Sequence, residues 1–268
     1  MATLARMTPV LLAFDTSTEA LAVGLQGPGG CSVWNGEGGA QASAQLLPTV
    51  QHLLAQAGLT LTDVDAFAFG QGPGAFTGLR TACSVVQGLA FGADKPVLPI
   101  DSLLIVAEDE RACRGFPADL DVAVAMDARM GELYAARYRW AEGRWACVQA
   151  PGLWDPPAWR AHCADAAMAA DSRPAVTAEQ ATDPTGEGWV WVGSGLPLLA
   201  DIPAQAGRLT CNDRAQALLR LAHQAWHQGL AVPAEQALPV YLRDKVALTT
   251  AERLAQPKAE RLATGGRP

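Results

Sequence analysis

Two segments decide the fold of this chain: L-L-A-F-D-T-S at residues 11–17 and G-Q-G-P-G-A-F-T-G-L-R at residues 70–80. The apolar run 10–14 predicts a buried strand, which ends in the turn Asp15-Thr16-Ser17. In the second segment, glycines follow another short apolar strand and precede a helix rich in small residues. Glycines at such a turn allow the backbone to approach a ligand or another helix closely.

Apolar periodicity extends this pattern in both directions and predicts alternating strands and helices. In the first part of the chain it predicts strands at 10–14, 20–25, 31–35, 65–70 and 95–100, and helices at 43–57, 75–91 and 102–113, the last with Ser102 as its N-cap. Further on it predicts strands at 120–126, 133–140, around 145 and at 189–192, and an amphipathic helix at 213–228. The fold class is therefore α/β, with mixed sheets flanked by helices.

A length of 268 residues allows two modest lobes. We expect an N-terminal lobe at 1–115, a C-terminal lobe at 116–250 and a weakly ordered tail at 251–268. The boundary is placed at Gly115-Phe116-Pro117, and residues 171–188 are expected to form a mobile surface loop.

Composition restricts the function classes. With 20 basic against 27 acidic residues the net charge is −7, which argues against a protein that binds nucleic acid on its own. The apolar run near the start is too short for a signal peptide, and no stretch is long enough to span a membrane. Six cysteines without a C-x-x-C pair indicate free thiols in a reducing cytoplasm.

The two deciding segments supply the candidate ligand-binding residues. Backbone N–H groups, hydroxyls and one carboxylate in them can cradle a phosphate or hold a cation. The candidates are Asp15, Thr16, Ser17, Gly72, Gly74 and Thr77. Two structural alternatives remain open, because Asp, Thr and Ser form such turns without any ligand and Gly74 and Gly78 can serve close helix packing. A P-loop is excluded, since no G-K-[ST] follows the glycines.

The succession of motifs resembles a known family. D-T-S, the returning strand, G-x-G-P-G-x-F-T-G-L-R and the strand P-V-L-P-I at 96–100 are similar to the actin-like ATPase superfamily. L-L-P at 46–48, D-V-D at 63–65, Q-G-L-A at 87–90 and P-V-Y-L-R at 239–243 resemble the TsaB family in particular. This resemblance implies the actin-like ATPase (ribonuclease H-like) fold with two similar lobes.

The resemblance also implies a role. The related catalytic family, TsaD, carries an H-x-x-x-H metal pair where this chain, aligned on Pro96 and Pro99, has Ser102 and Val106. Valine cannot coordinate a metal, and a lone serine is a poor ligand. We therefore expect no catalytic residues, no metal and no cofactor.

By resemblance, the chain is expected to be a scaffold subunit that pairs with TsaD and TsaE and meets tRNA only through that complex. The complex places threonylcarbamoyl on the adenosine next to the anticodon in tRNAs that read codons beginning with A. The alternative is an autonomous ATPase or phosphotransferase, with Gly193-Ser194-Gly195 as the candidate second phosphate loop.

The predicted partner interface consists of apolar and small residues on two helices, and the same surface is expected to form a homodimer in the isolated chain. These residues are Leu46, Val50, Leu53, Ala57, Gly78, Ala82, Val85 and Leu89. The structural alternative is that both apolar stripes are buried against the sheet beneath the helices.

Two further groups have a structural interpretation. His223 and His227 lie four apart, a spacing that places two imidazoles on one helix face, but no third metal ligand follows, and a solvated face is favoured. Four tryptophans, at 154, 159, 189 and 191, can form a stacking platform for bases; filling of a second core is favoured.

Overall fold

The computed structural model describes residues 8–170, 189–199, 202 and 207–243. The predicted loop at 171–188 and the predicted tail at 251–268 lie outside the described residues. Within them are two five-stranded sheets and five α-helices.

The first sheet is mixed and has the strand order β3-β2-β1-β4-β5. Its strands are β1 Leu11–Asp15, β2 Ala20–Gly27, β3 Gly30–Glu37, β4 Ala66–Gly72 and β5 Val97–Asp101. β1 pairs antiparallel with β2 and parallel with β4, so the turn after β1 and the glycine-rich turn after β4 open at the same edge. This pairing brings the two deciding segments together.

The second sheet has the order β10-β9-β6-β7-β8. Its strands are β6 Leu120–Asp127, β7 Leu133–Ala141, β8 Arg144–Trp154, β9 Val190–Val192 and β10 Gly207–Arg208. β6 pairs antiparallel with β7 and parallel with β9, the same arrangement as in the first sheet.

Helices separate and cover the sheets. They are α1 Ala42–Ala57, α2 Phe76–Ala93, α3 Ser102–Cys113, α4 Pro156–Ala170 and α5 Arg214–His227. α1 and α2 cover one face of the first sheet and α5 covers the other, while α3 contacts both sheets and α4 covers the outer face of the second. The order of layers is therefore helices, sheet, helices, sheet, helix.

Two features differ from the predicted organisation. α5 lies within the range assigned to the C-terminal lobe, yet it packs on the first sheet through Leu218 and Leu219. The second face of that sheet, which includes Leu11 and Leu98, is fully buried and needs a cover that the N-terminal segment alone does not supply. Helix α4 was not predicted, because its mostly small residues give a weak apolar stripe.

The N-cap of α3 also differs from the prediction. The Asp101 carboxylate accepts a hydrogen bond from the Leu103 N–H at 2.9 Å and so caps the helix. Ser102 is the first helical residue, and its hydroxyl faces the first sheet, where it accepts from the Gly72 N–H at 3.0 Å.

The tryptophans belong to the core of the second sheet, as favoured from the sequence. Trp159 and Trp191 are fully buried in one apolar cluster with Trp189, and Trp154 packs against it. None of the six cysteines, which all lie in the described part of the chain, forms a disulfide. None of the helices in the described part of the chain is long and apolar enough to cross a membrane.

Candidate functional site

A cleft of about 490 Å³ opens between the two sheets. One wall contains the turn after β1, the glycine-rich loop before α2 and the start of α3. The other contains the turn between β6 and β7 together with Ser194, and residues 240–243 run along the rim. The predicted phosphate-binding loops therefore face a common space, and this space is the candidate site.

The carboxylate of Asp15 is fully buried and forms an ion pair with the guanidinium of Arg214, which lines the cleft. Arg214 also donates to the Ser17 hydroxyl at 3.0 Å and to the Ser102 carbonyl at 3.2 Å. Burial is the largest single influence and would lower the pKa of Arg214, but the charges and hydrogen bonds of Asp15 and Cys211 together outweigh it, so the net pKa is raised. A permanent cation thus occupies the position where the sequence allowed a metal or a ligand.

Sequence analysis missed Arg214. It lies 199 positions from Asp15, and no local pattern joins the two. One signal was available: Arg214 falls on the same helix face as Leu218 and Leu221, at spacings of four and seven, so the apolar stripe of α5 contains a charge that requires a buried partner.

The D-T-S turn and the glycine-rich loop bind each other. The Thr16 hydroxyl donates to the Gly78 carbonyl at 2.6 Å, and the Ala75 N–H donates to the Ser17 carbonyl at 2.7 Å. A Cβ added at Gly78 would overlap the carbonyl oxygen of Thr16, and one at Gly74 would overlap that of Ser17. Both glycines therefore serve close backbone packing, one of the alternatives left open by the sequence.

Several backbone donors of the two loops are already used within the protein. Besides Ala75, the N–H of Ser17 donates to the Asp15 carboxylate at 3.1 Å and the N–H of Gly72 to Ser102. In the other wall, the Gly193 and Gly195 N–H groups donate to backbone carbonyls at 2.8 and 2.9 Å. Thr77, the remaining candidate, is exposed at the start of α2.

Ser102 and Val106, the two positions that correspond to the metal pair of TsaD, make a hydrogen bond and an apolar contact instead. Ser102 is buried, and its hydroxyl bonds to Gly72. Val106 is only 3% exposed and belongs to the apolar cluster between α3 and the second sheet. No group of three or more His, Cys, Asp or Glu with metal-binding geometry occurs among the residues that the structure describes.

A partly buried polar contact joins the first and second sheets. The Tyr138 hydroxyl on β7 donates to the Asp101 carboxylate at 2.5 Å. Burial raises the pKa of Asp101, and burial together with the Asp101 charge raises the pKa of Tyr138 well above its ordinary value. The folded protein therefore holds the phenol in its protonated form.

Because the pKa of Tyr138 is higher in the folded state, its contribution to stability is complete below the unfolded pKa of about 10 and is lost as the pH rises from there through the folded pKa. We predict that the free energy of unfolding falls between pH 9.5 and about 11, and that Tyr138→Phe removes much of this fall. At pH 7 the same variant should lose about 1–3 kcal/mol, since a buried carboxyl loses its donor. Urea denaturation at pH 7 and between pH 9.5 and about 11 measures both effects on the free energy of unfolding. Tyr134→Phe, a variant on the same strand, should keep the wild-type pH dependence. If the free energy of unfolding of Tyr138→Phe fell as steeply as that of the wild type, the fall could not be assigned to Tyr138.

The predicted interface residues need correction. Leu46, Val50, Leu53 and Ala82 are at most 4% exposed and lie in the core between α1, α2 and the first sheet, and Gly78 is buried against the D-T-S turn. These five cannot meet another chain, because four of them are buried against the sheet and Gly78 is buried against the D-T-S turn. Three of the predicted residues remain accessible: Ala57 is exposed, and Val85 and Leu89 are half-buried.

Comparison with known proteins relates this architecture to a family. The TsaD family model, described as tRNA N6-adenosine threonylcarbamoyltransferase, matches residues 39–251. The tRNA threonylcarbamoyladenosine biosynthesis protein TsaB of Escherichia coli K12 is 33% identical over 242 residues, which cover 88% of this chain and 96% of that protein. The TsaB of Haemophilus influenzae is 45% identical over 124 residues, 46% of this chain and 51% of that protein.

Two solved structures resemble this chain in both fold and sequence. YeaZ from Pseudomonas aeruginosa superimposes with a TM-score of 0.69 at 38% identity, covering 88% of this chain and 100% of that one. A second structure from the same organism, described as similar to peptidase YeaZ, gives a TM-score of 0.70 at 36% identity with the same coverage.

The chain thus carries a TsaD-type domain with the actin-like ATPase (ribonuclease H-like) fold that the motifs predicted. The similarity to Escherichia coli TsaB extends over nearly all of that protein. The chain belongs to the TsaB family.

Proposed function

We propose that this protein is an accessory subunit in the biosynthesis of threonylcarbamoyladenosine in tRNA, that it acts in the cytoplasm, and that it performs no chemistry alone. The observation that carries the proposal is its similarity to a TsaB protein over 96% of that protein's length, since the name of that relative states the pathway. In this role the chain supports a TsaD-type transferase, joined by TsaE, and meets tRNA only through the complex.

The contents of the cleft support an accessory role over the alternative, an autonomous ATPase. The Asp15 carboxylate, which would hold a cation near the phosphates, is neutralised by Arg214, and N–H groups from both walls already donate within the protein. Among the described residues that line the cleft, none is a histidine or a cysteine, so a nucleophile–base pair of the kind a peptidase needs is not assembled there.

The outward face of α1 and α2 is the surface we propose for the partner, in place of the buried stripe. Phe91 is 84% exposed and Leu47 is 42% exposed. On α2, Ser84 and Gly88 precede Phe91 by seven and three positions, so one side of that helix combines small residues with a large exposed ring. Small residues allow another helix to approach closely, and an exposed aromatic side chain is a typical anchor at an interface. The TsaD-type chain is the occupant; in its absence a second copy of this chain takes the same place.

Phe91→Asp should therefore weaken association with the TsaD-type partner by at least about thirtyfold, the effect of losing one strong interface anchor, and should shift the isolated chain toward monomer. Titration of the partner and sedimentation of the free chain measure the two effects. Leu209→Asp is the matched control, because Leu209 is 51% exposed but lies in the turn before α5. If both variants weakened association with the partner equally, or if Phe91→Asp did not weaken it, α2 would not be part of the interface.

Calorimetry with Mg-ATP distinguishes the proposed function from its alternative. The isolated chain should show no tight one-to-one binding, because Arg214 neutralises the Asp15 carboxylate and several loop N–H groups already donate within the protein. Tight binding accompanied by turnover of ATP would favour the autonomous ATPase.

A further inference from the structure

The C-terminal half of α5 brings together two imidazole rings that the proposed function does not use. His223 and His227 lie one turn apart, and their Nε2 atoms are 3.1 Å from each other with the ring centroids 4.4 Å apart. Both rings lie at the surface, His223 half-buried and His227 exposed. The two nitrogens therefore converge on one point that solvent can reach.

The separation of the nitrogens suits a shared metal ion. Imidazole nitrogen binds Zn²⁺ at about 2.0–2.1 Å, so two such ligands at one ion stand about 2.9–3.4 Å apart for angles between octahedral and tetrahedral. The observed 3.1 Å lies inside this range. Paired histidines at i and i+4 of a helix are a known way to hold zinc.

The position on the helix favours a cation as well. His227 is in the last turn of α5, where the aligned peptide dipoles leave partial negative charge. Burial, followed by the effect of His227, lowers the pKa of His223, so near neutral pH that ring is deprotonated, as a metal ligand must be. No cysteine or acidic residue among the described residues completes a three-ligand cluster, which leaves the other coordination positions to water.

We propose that His223 and His227 form a two-ligand surface site for a divalent transition-metal ion that prefers imidazole, such as Ni²⁺, Co²⁺ or Zn²⁺. The ion would link His223 to His227 across the last turn of α5. The sequence interpretation set this pair aside for want of a third ligand; the convergence of the two Nε2 atoms is what assigns the site. The proposal is independent of the proposed function.

Calorimetric titration of the untagged protein with Ni²⁺ tests the site. One ion should bind per chain, more tightly than Co²⁺, in keeping with the usual order of divalent affinities, and Mg²⁺ should not bind. At about a hundredfold excess over Kd, Ni²⁺ should raise Tm by about 5–10 °C. Paramagnetic Co²⁺ should broaden the ring-proton resonances of His223 and His227 before those of the other histidines.

Two variants locate the binding. His227→Ala should lower the Ni²⁺ affinity at least about tenfold and abolish the rise in Tm. His52→Ala, which removes an exposed histidine on α1, should leave both unchanged. Because both histidines lie at the surface, circular dichroism should show the wild-type helix content in each variant.

The proposal is overturned if Ni²⁺ does not bind at millimolar concentration, or if His227→Ala binds it as tightly as the wild type. In the first case the short Nε2–Nε2 distance is a hydrogen bond between two neutral rings and nothing more. In the second case the ion sits elsewhere, and the order of broadening in the Co²⁺ titration identifies the side chains that hold it.

Discussion

Arg214→Ala should lower the free energy of unfolding by about 3–5 kcal/mol. The reason is that the fully buried Asp15 carboxylate would lose its only charged partner among the described residues. The hydroxyl of Ser17 and the carbonyl of Ser102 would lose donors at the same time. Urea denaturation of the variant at neutral pH measures the loss. Arg214→Lys should restore only part of the stability, because an ammonium cannot reproduce the fork of the guanidinium.

Arg129→Ala is the control for that measurement. Arg129 also forms ion pairs at the cleft, with Glu19 at 2.9 Å and Asp127 at 3.7 Å, but its side chain is 70% exposed and solvent screens both pairs. Its removal should cost no more than about 1 kcal/mol. Similar losses in Arg214→Ala and Arg129→Ala would mean that Arg214 is not the internal cation of the cleft.

Gly78→Ala should destabilise the protein by about 3 kcal/mol, at the upper end of the range for overpacked sites. Its new methyl group would overlap the carbonyl oxygen of Thr16, and backbone atoms cannot move aside as a flexible side chain does. Forcing the two segments apart would also break the 2.6 Å hydrogen bond from the Thr16 hydroxyl to the Gly78 carbonyl. Thermal and urea unfolding of the variant test this result.

Gly88→Ala provides a matched comparison on the same helix. A Cβ at Gly88 meets no atom within 4 Å, so the substitution should raise the free energy of unfolding by up to about 1 kcal/mol through helix propensity alone. Because Gly88 lies on the proposed partner surface, the same variant should weaken association while it stabilises the isolated chain. Destabilisation by both alanines to the same extent would show that loss of glycine flexibility, and not the contact with Thr16, matters at position 78.

The fold was predictable because the decisive signals are local. The apolar run before Asp15 and the small-residue helix after Gly74 each specify one element, and their order specifies the pairing of strands. The absence of imidazoles at Ser102 and Val106 could also be read directly, and the structure adds what those side chains do instead. Each of these features depends on a few neighbouring residues.

The features that sequence reasoning missed depend on contacts between distant segments. The partner of Asp15 comes from a helix almost two hundred residues away, and no spacing rule relates such positions. An apolar stripe indicates that one face of a helix is buried, but it does not identify the element that buries it. The first sheet covers Leu46 and Ala82, whereas Phe91, on the outward side of α2, remains exposed. Ser102 was expected to cap α3, but the preceding aspartate takes that place, since a cap is decided by side-chain direction.

The central claim is that the outer helical face of this protein, and not its cleft, supports tRNA modification. The most direct measurement is the amount of threonylcarbamoyladenosine formed in tRNA by the cognate TsaD-type enzyme and its other components, with this chain omitted, added as wild type, or added as Arg129→Gln or Phe91→Asp. We predict that omission and Phe91→Asp both abolish most of the product, while Arg129→Gln, at the cleft, supports wild-type yield. Full product without the chain, or product lost with Arg129→Gln and kept with Phe91→Asp, would contradict the claim.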